Sequence, residues 1–503
     1  MSISGNWDRR LSRRRFLGIG GLSAAALVLG SRGAGAQSST SVGFGDLVSD
    51  PGGLIDLPPG FQYRVISEKG SPLSSGGTVP GDHDGMAAFP GPSANTTVLV
   101  RNHELNSNDP APVVGTNPYD PSQTGGTTGI LVNLDDRTEV RDFVTSSGTR
   151  NNCAGGATPW GTWLTCEEDR TTNHGYVFEV NPNDPENGLS KKPIRAMGFF
   201  SHEAVDIDPA TGIAYLTEDD FRGSIPSDPN AEVIADDAPP GSRVSFLYRF
   251  IPSVKPTKPG DLQKGGKLQV LTLEQLNFNA DLARPGQTFG VVWKDVNPEE
   301  PHEGAEDVGA ARFGRLEGAH FSGGAFWFDD TIGGEKRLGQ IFRLIPRGGS
   351  GNTGDVLELF YEGTKPGNME SPDNIIVTPW GDLWFAEDEA VSGDSVNRVM
   401  GITPGGQVYP FARNPRSDSE FAGPTFSPDG STFFVNMQGD GLTFAIWGPL
   451  PGSNAARQRQ MAVAAPPKSM APKVSGELAE AAQKFGLSNL EAAAYESLGV
   501  SLA

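Results

Sequence analysis

Positive charge is scarce in this 503-residue chain: 40 Lys and Arg stand against 61 Asp and Glu, a formal net charge of −21. No basic stripe occurs, which excludes nucleic acid as a partner. The overall field also repels phosphate and anionic membranes, so an anionic substrate needs a strong local positive charge such as a bound cation. Histidine is scarcer, six in all, and three precede glutamate, at His103-Glu104, His202-Glu203 and His302-Glu303. None forms H-E-x-x-H, so a helical zinc-protease site is excluded. There is no G-x-S-x-G, no Walker A loop and no spaced C-x-x-C pair. These absences remove the nucleophile elbow, the P-loop and the zinc ribbon. Only two cysteines occur, Cys153 and Cys166. Composition leaves open whether they close a short disulfide loop or serve as thiols.

What the chain has in plenty is turn-formers, 66 Gly and 40 Pro. They fit many short strands rather than a helical enzyme. Residues 1–36 read as a targeting segment. Ser12-Arg13-Arg14-Arg15-Phe16-Leu17 is a twin-arginine run, Gly18–Gly30 is a small apolar stretch, and Ala34-Gly35-Ala36 offers a cleavage site. The apolar stretch is too short for a good membrane span, so no stable anchor is expected. The twin-arginine (Tat) export machinery becomes an expected partner, delivering a folded protein to the periplasm or beyond. Without this segment, which carries six arginines and one aspartate, the net charge drops to −26.

A repeat organises the rest. Six segments share a small or acidic residue, an apolar run, a turn and a second apolar strand. They begin at Asp84, Cys153, Glu203, Glu317, Asp373 and Ala422. A turn proline follows six residues later at Pro90, Pro159, Pro209, Pro379 and Pro428, with Gly323 in the fourth copy. The second strand ends in acids at Glu167-Glu168, Glu218-Asp219, Asp329-Asp330 and Glu387-Asp388, and in Asn436 in the last copy. Third strands recur at Tyr176–Val180, Phe246–Ile251, Gln340–Ile345 and Val399–Thr403. Six antiparallel units of three to four strands predict an all-β, six-bladed propeller over 37–450. Residues 222–300 read as a long blade insertion, 451–474 as a linker, and 475–503 as a small helical tail.

In a propeller the innermost strands line a central channel. Asp84, Cys153, Glu203, Glu317 and Asp373 would then ring one mouth, with Glu167, Glu218 and Glu387 beside them. Carboxylates so crowded cannot all ionise without cations. Hard oxygen donors in that number call for calcium, and a thiolate among them for a transition metal as well. Arg315 lies two residues before Glu317, on the same strand face. It would point a guanidinium at the same mouth, either to grip phosphate or to neutralise the acids.

Several of these stretches resemble the PhoX-type alkaline phosphatases: NNCAGGATPWGTWLTCEED (151–169), SHEAVDIDPATGIAYLTEDD (201–220), GRLEGAHF (314–321), SPDNIIVTPWGDLWFAED (371–388) and FAGPTFSPDGSTFFVNMQ (421–438). The resemblance runs over most of 50–450. It implies a secreted phosphomonoesterase whose cofactors are Fe(III) and Ca2+ bridged by oxygen, with small-molecule phosphate esters as substrates; apart from the resemblance, a monomer is expected. It implies further that Cys153 is the iron-binding thiolate and that Glu203 and Glu317 are ligands near iron and calcium. Asp373, Glu167, Glu218 and Glu387 would be additional ligands, and Arg315 the catalytic and substrate-binding arginine. The metals would polarise phosphoryl oxygens and provide an oxo or hydroxo nucleophile. Ala422 departs from the pattern, giving the sixth copy no ligand at the shared register. Two other readings stay open: a different calcium-dependent propeller hydrolase acting on lactones or phosphodiesters, and a non-catalytic propeller stabilised by metal.

Overall fold

In the computed structural model the described residues are 42–106, 109–186, 188–220, 245–275, 278, 280–388 and 396–452, all within the compact unit Val42–Ala503. The expected export segment 1–36, the helical tail 475–503 and nearly all of the linker lie outside them. Antiparallel strands dominate, and the one α-helix among the described residues is the short Pro301–Asp307.

Each repeated segment forms a hairpin that opens a blade. Blade 1 runs His83–Pro90, Thr96–His103, Gly125–Asn133 and Thr138–Thr149; blade 2 runs Asn152–Ala157, Trp163–Glu167 and Val177–Val180. Blade 3 comprises His202–Ile207, Ala214–Glu218, Leu247–Pro252 and Gly266–Leu273, and blade 4 Leu316–Ser322, Ala325–Asp330, Gln340–Ile345 and Thr353–Glu362. Blade 5 comprises Pro372–Val377, Leu383–Glu387, Arg398–Ile402 and Val408–Arg413. Blade 6 takes Phe421–Phe426, Phe433–Met437 and Leu442–Trp447 from the C-terminal end and its outer strand, Gln62–Glu68, from the other end. That exchange closes the circle with main-chain hydrogen bonds. Strand Thr288–Asp295 pairs with both Gly266–Leu273 and Thr353–Glu362, welding blades 3 and 4 into one nine-stranded sheet.

The core is a set of wedges between blades, because a sheet buries its apolar faces only against neighbours. Val205 and Leu216 pack on Leu164 and Val177 between blades 2 and 3, and Leu271 on Phe328 and Phe342 between blades 3 and 4. Ile341 meets Ile375 and Phe385, Trp384 meets Phe433, Phe434 meets Leu99 and Ile130, and Val100 meets Trp163. Every junction has its cluster, so the inner strands form a closed ring.

Glycine lets that ring be tight. A Cβ on Gly156 would lie 1.7 Å from the Val205 carbonyl oxygen, and one on Gly318 would lie 2.4 Å from that of Asp373. Polar latches lock the same junctions. Asn102 Nδ2 donates to the carbonyls of Cys153 and Ala154 (2.9 and 2.7 Å), Thr217 Oγ1 to that of Glu317 (2.7 Å), and Asn436 Nδ2 to that of Asp84 (2.6 Å).

Candidate active site

One local irregularity recurs in all six inner hairpins. His83 pairs with His103, yet Met86 pairs with Arg101; Asn152 pairs with Glu167, yet Gly155 pairs with Thr165. The same slip separates His202 from Val205, Leu316 from Ala319, Pro372 from Ile375 and Ala422 from Thr425. In each, the inner strand uses three residues where its partner uses two, a β-bulge that re-aims side chains. The bulges fall at Asp84, Cys153, Glu203, Glu317, Asp373 and Ala422 or immediately after. Entry to three of them is through left-handed backbone at Asp82, Asn151 and Ser371 (φ 40°, 42° and 43°).

A second register follows from the first. The residue after each second strand donates its amide to the residue two before the bulge position. These bonds are Glu104 to Asp82, Glu168 to Asn151, Asp219 to Ser201, Thr331 to Arg315, Asp388 to Ser371 and Gln438 to Glu420, at 2.9–3.2 Å. The channel mouth therefore carries two tiers of side chains, one from the bulges and one from these strand exits.

Potential metal ligands converge there. Donor atoms of Cys153, Glu168 and Glu203 lie within 4.8 Å of one another, as do those of Glu203, Glu317 and Asp373. Glu203 belongs to both sets. Burial, then Glu317 and Asp373, push the Glu203 carboxyl well above its ordinary range; burial, then Asp219 and Glu104, do so for Glu168. Burial and the neighbouring acids likewise raise Asp84 and Glu317, move Asp373 to about 7 and move Glu104 to about 8. The Cys153 thiol is raised by burial and by Glu203 and Glu168. Two buried oxygens of these clusters, Glu168 Oε1 and Glu317 Oε1, have no hydrogen-bond partner. A carboxylate–thiolate donor set with unsatisfied buried oxygen fits bound cations, a hard one among the carboxylates and a thiolate-binding transition metal beside Cys153. Cys153 and Cys166 are both free thiols.

The other expected site residues are distributed differently. Glu167 faces into its own blade, bonded to His174 Nδ1 (2.7 Å) and to the amides of Arg150, Gly175 and Tyr176. Glu218 faces Tyr248 and His302 (His302 Nδ1 at 2.8 Å), and forms a separate group with Asp220 and His302. Glu387 lies against Arg398 at 3.3 Å. The acids turned to the mouth are their successors, Glu168, Asp219 and Asp388. Period-two alternation explains this: Glu167 and Glu387 sit opposite Asn152 and Pro372, one residue short of the bulge position, so they share the other face. The repeated Glu-Asp and Glu-Glu doublets were visible in the sequence, but which member faces the axis depends on a bulge that leaves no separate mark there.

At the sixth position, Ala422 adds no donor, and Gln438 spans the gap. Its Nε2 donates to Glu104 (2.8 Å) and Asp84 (3.3 Å). Glu420, raised by burial and then by Asp388 and Asp373, stands beside it. Arg315 is the cation in contact with these acids. Its Nε bonds both Asp219 oxygens (3.1 and 3.0 Å), and Nη2 reaches Asp219 (2.6 Å) and Glu317 (2.5 Å). Nη1 lies 3.7 Å from Asp388.

A protein-family model described as alkaline phosphatase PhoX matches residues 42–441, the whole of the propeller up to its last strand. The chain belongs to that family. No curated protein sequence matches it. Among solved structures, PhoX of Pseudomonas fluorescens, in complex with vanadate as a transition state analogue, is similar at 20% identity with a TM-score of 0.59, over 80% of this chain and 97% of that one. A Bacteroides thetaiotaomicron protein of unknown function follows at 11% identity and TM-score 0.39 (77% of this chain, 76% of that one). The Cps50 (Swd1) β-propeller domain of Myceliophteria thermophila stands at 10% and 0.37 (77% and 99%). Family membership makes the chain a metal-dependent phosphatase, and the acidic clusters at the mouth are its candidate metal sites. No helix among the described residues is long and apolar enough to cross a membrane.

Proposed function

We propose that this protein hydrolyses phosphate monoesters outside the cytoplasm, after Tat export, at the acidic mouth of its channel. The observation that carries the reading is the shared Glu203: a thiolate-containing set and an all-carboxylate set meet at one residue, with a guanidinium alongside. The donors support a transition metal at Cys153, Glu168 and Glu203, for which the resemblance to PhoX implies Fe(III), and Ca2+ at Glu203, Glu317 and Asp373. Bound there, the cations would polarise a phosphoryl oxygen and lower the pKa of attacking water. Arg315 binds and orients the phosphoryl group. Asp219 and Glu317 hold one side of its guanidinium, which leaves Nη1 to neutralise charge growing on the equatorial oxygens. Glu167, Glu218 and Glu387 brace the strand ends from behind through their hydrogen bonds to each blade. Cys153 is no nucleophile in this reading, since its wholly buried thiol faces carboxylates.

The test is elemental analysis and p-nitrophenyl phosphate turnover on protein purified without chelator. Iron and calcium together, with activity lost on chelation and in Cys153→Ala, are expected. Full activity after complete metal removal would sink the reading. Turnover of lactones or diesters in place of monoesters would redirect it to another propeller hydrolase.

A further inference from the structure

The structure assigns a positioning role to Asp330, a buried carboxylate behind the channel mouth that fixes the main chain of Arg315. Asp330 ends the second strand of blade 4, opposite Leu316, and is fully shielded from solvent. Its Oδ2 accepts the Gly314 amide at 2.8 Å, and its Oδ1 accepts the Arg315 amide at 3.3 Å. The next residue completes the grip, because the Thr331 amide donates to the Arg315 carbonyl at 2.9 Å. From the far side Ser245 Oγ donates to the Gly314 carbonyl at 3.1 Å. The Arg315 side chain is then oriented by Asp219, so Asp330 sets where the arm starts and Asp219 sets where it points.

The cradle around Asp330 has no spare room. A Cβ on Gly314 would lie 2.5 Å from Asp330 Oδ1, and one on Gly333 would lie 2.6 Å from its Cγ and 2.7 Å from Oδ2. Two flanking glycines therefore seat the carboxylate against the strand entry. Only an acceptor on both oxygens satisfies two adjacent amides. An asparagine in the same place turns one acceptor into a donor and drives one amide away. A shift of even a fraction of an ångström at the Arg315 Cα is passed on to the guanidinium, where phosphate contact tolerates little displacement.

The inference rests on the reading of Arg315 as the phosphate-binding residue, and one set of variants tests both. Binding of inorganic phosphate to the metal-replete protein is measured by calorimetry for wild type, Asp330→Asn, Gly333→Ala, Arg315→Ala and the double variant Arg315→Ala/Asp330→Asn. KM and kcat for p-nitrophenyl phosphate, metal content and melting temperature are recorded alongside. Asp330→Asn should weaken phosphate binding by about ten-fold and raise KM more than it lowers kcat, with metal content unchanged. In the Arg315→Ala background it should weaken binding no further. Gly333→Ala crowds the carboxylate without altering its charge and should act in the same direction, so the result stands if Asp330→Asn does not fold. Undiminished phosphate binding in Asp330→Asn or Gly333→Ala, beside a loss in Arg315→Ala, overturns the role of Asp330 alone. An equal loss in both backgrounds does the same. Undiminished binding in Arg315→Ala overturns both readings.

Discussion

Stripping the metals should make the fold sensitive to alkali in a way the loaded protein is not. Donor oxygens of Glu203, Glu317 and Asp373 lie within 4.8 Å of one another. Two ionised carboxylates at that separation repel by about 3–4 kcal/mol at an effective dielectric of about 20. Three such pairs amount to about 10 kcal/mol, the order of a domain's whole stability of about 5–15 kcal/mol. Arg315 pairs with Glu317 and also draws Asp373 down, so it offsets part of this repulsion. Without cations the cluster must keep protons, and that fixes the sign. A carboxyl whose value is raised in the fold still holds its proton at a pH where the unfolded chain has released its own. Stability is therefore lost as pH climbs from the ordinary carboxylate range, through about 7 for Asp373 and about 8 for Glu104, and the loss persists above. Scanning calorimetry between pH 5 and 9, on chelator-treated and metal-loaded protein, measures it. The stripped protein should lose several kcal/mol across that range, a fall on the order of 5–10 °C, while the loaded protein stays nearly level. Parallel curves for the two forms would refute the reasoning, because they would mean that these acids do not share one site.

Adjacent acids should separate cleanly. Glu168→Gln is expected to lower metal content and activity at unchanged melting temperature in chelator, whereas Glu167→Gln, losing its ties to His174 and three amides, should cost about 2–4 kcal/mol of stability and leave the metals in place; elemental analysis beside denaturant melts decides it. Cys153→Ser keeps the size but hardens the donor, so iron should drop while calcium remains, read from the metal ratio. Gly156→Ala puts a methyl 1.7 Å from the Val205 carbonyl oxygen. It should destabilise by at least about 3 kcal/mol, seen as a lowered denaturant midpoint.

The repeat made much of this protein legible before any coordinates. Small or acidic residues six before a turn proline, or before Gly323 in the fourth copy, marked Asp84, Cys153, Glu203, Glu317 and Asp373 as equivalent, and all five stand at the bulge position of an inner strand. Ala422 was recognisable as a gap in the same way. The doublets at the strand ends were legible only as doublets. Glu167 and Glu168 differ by one position, and on a strand one position is a change of face.

Local sequence thus determined the hairpins, the all-β class and the equivalence of the six segments, because turn residues and alternation act over a few neighbours. Tertiary structure alone decided three things. It gave the outer place in blade 6 to strand Gln62–Glu68, from the other end of the propeller. It bulged the inner strands of blades 1 to 5 at one level, and that of blade 6 one residue later, turning Glu168, Asp219 and Asp388 toward the channel mouth in place of Glu167, Glu218 and Glu387. It also paired Arg315 with Asp219 of the neighbouring blade, 96 residues away. Each depends on closing a ring, and no single segment carries the distance to its neighbour in its own residues.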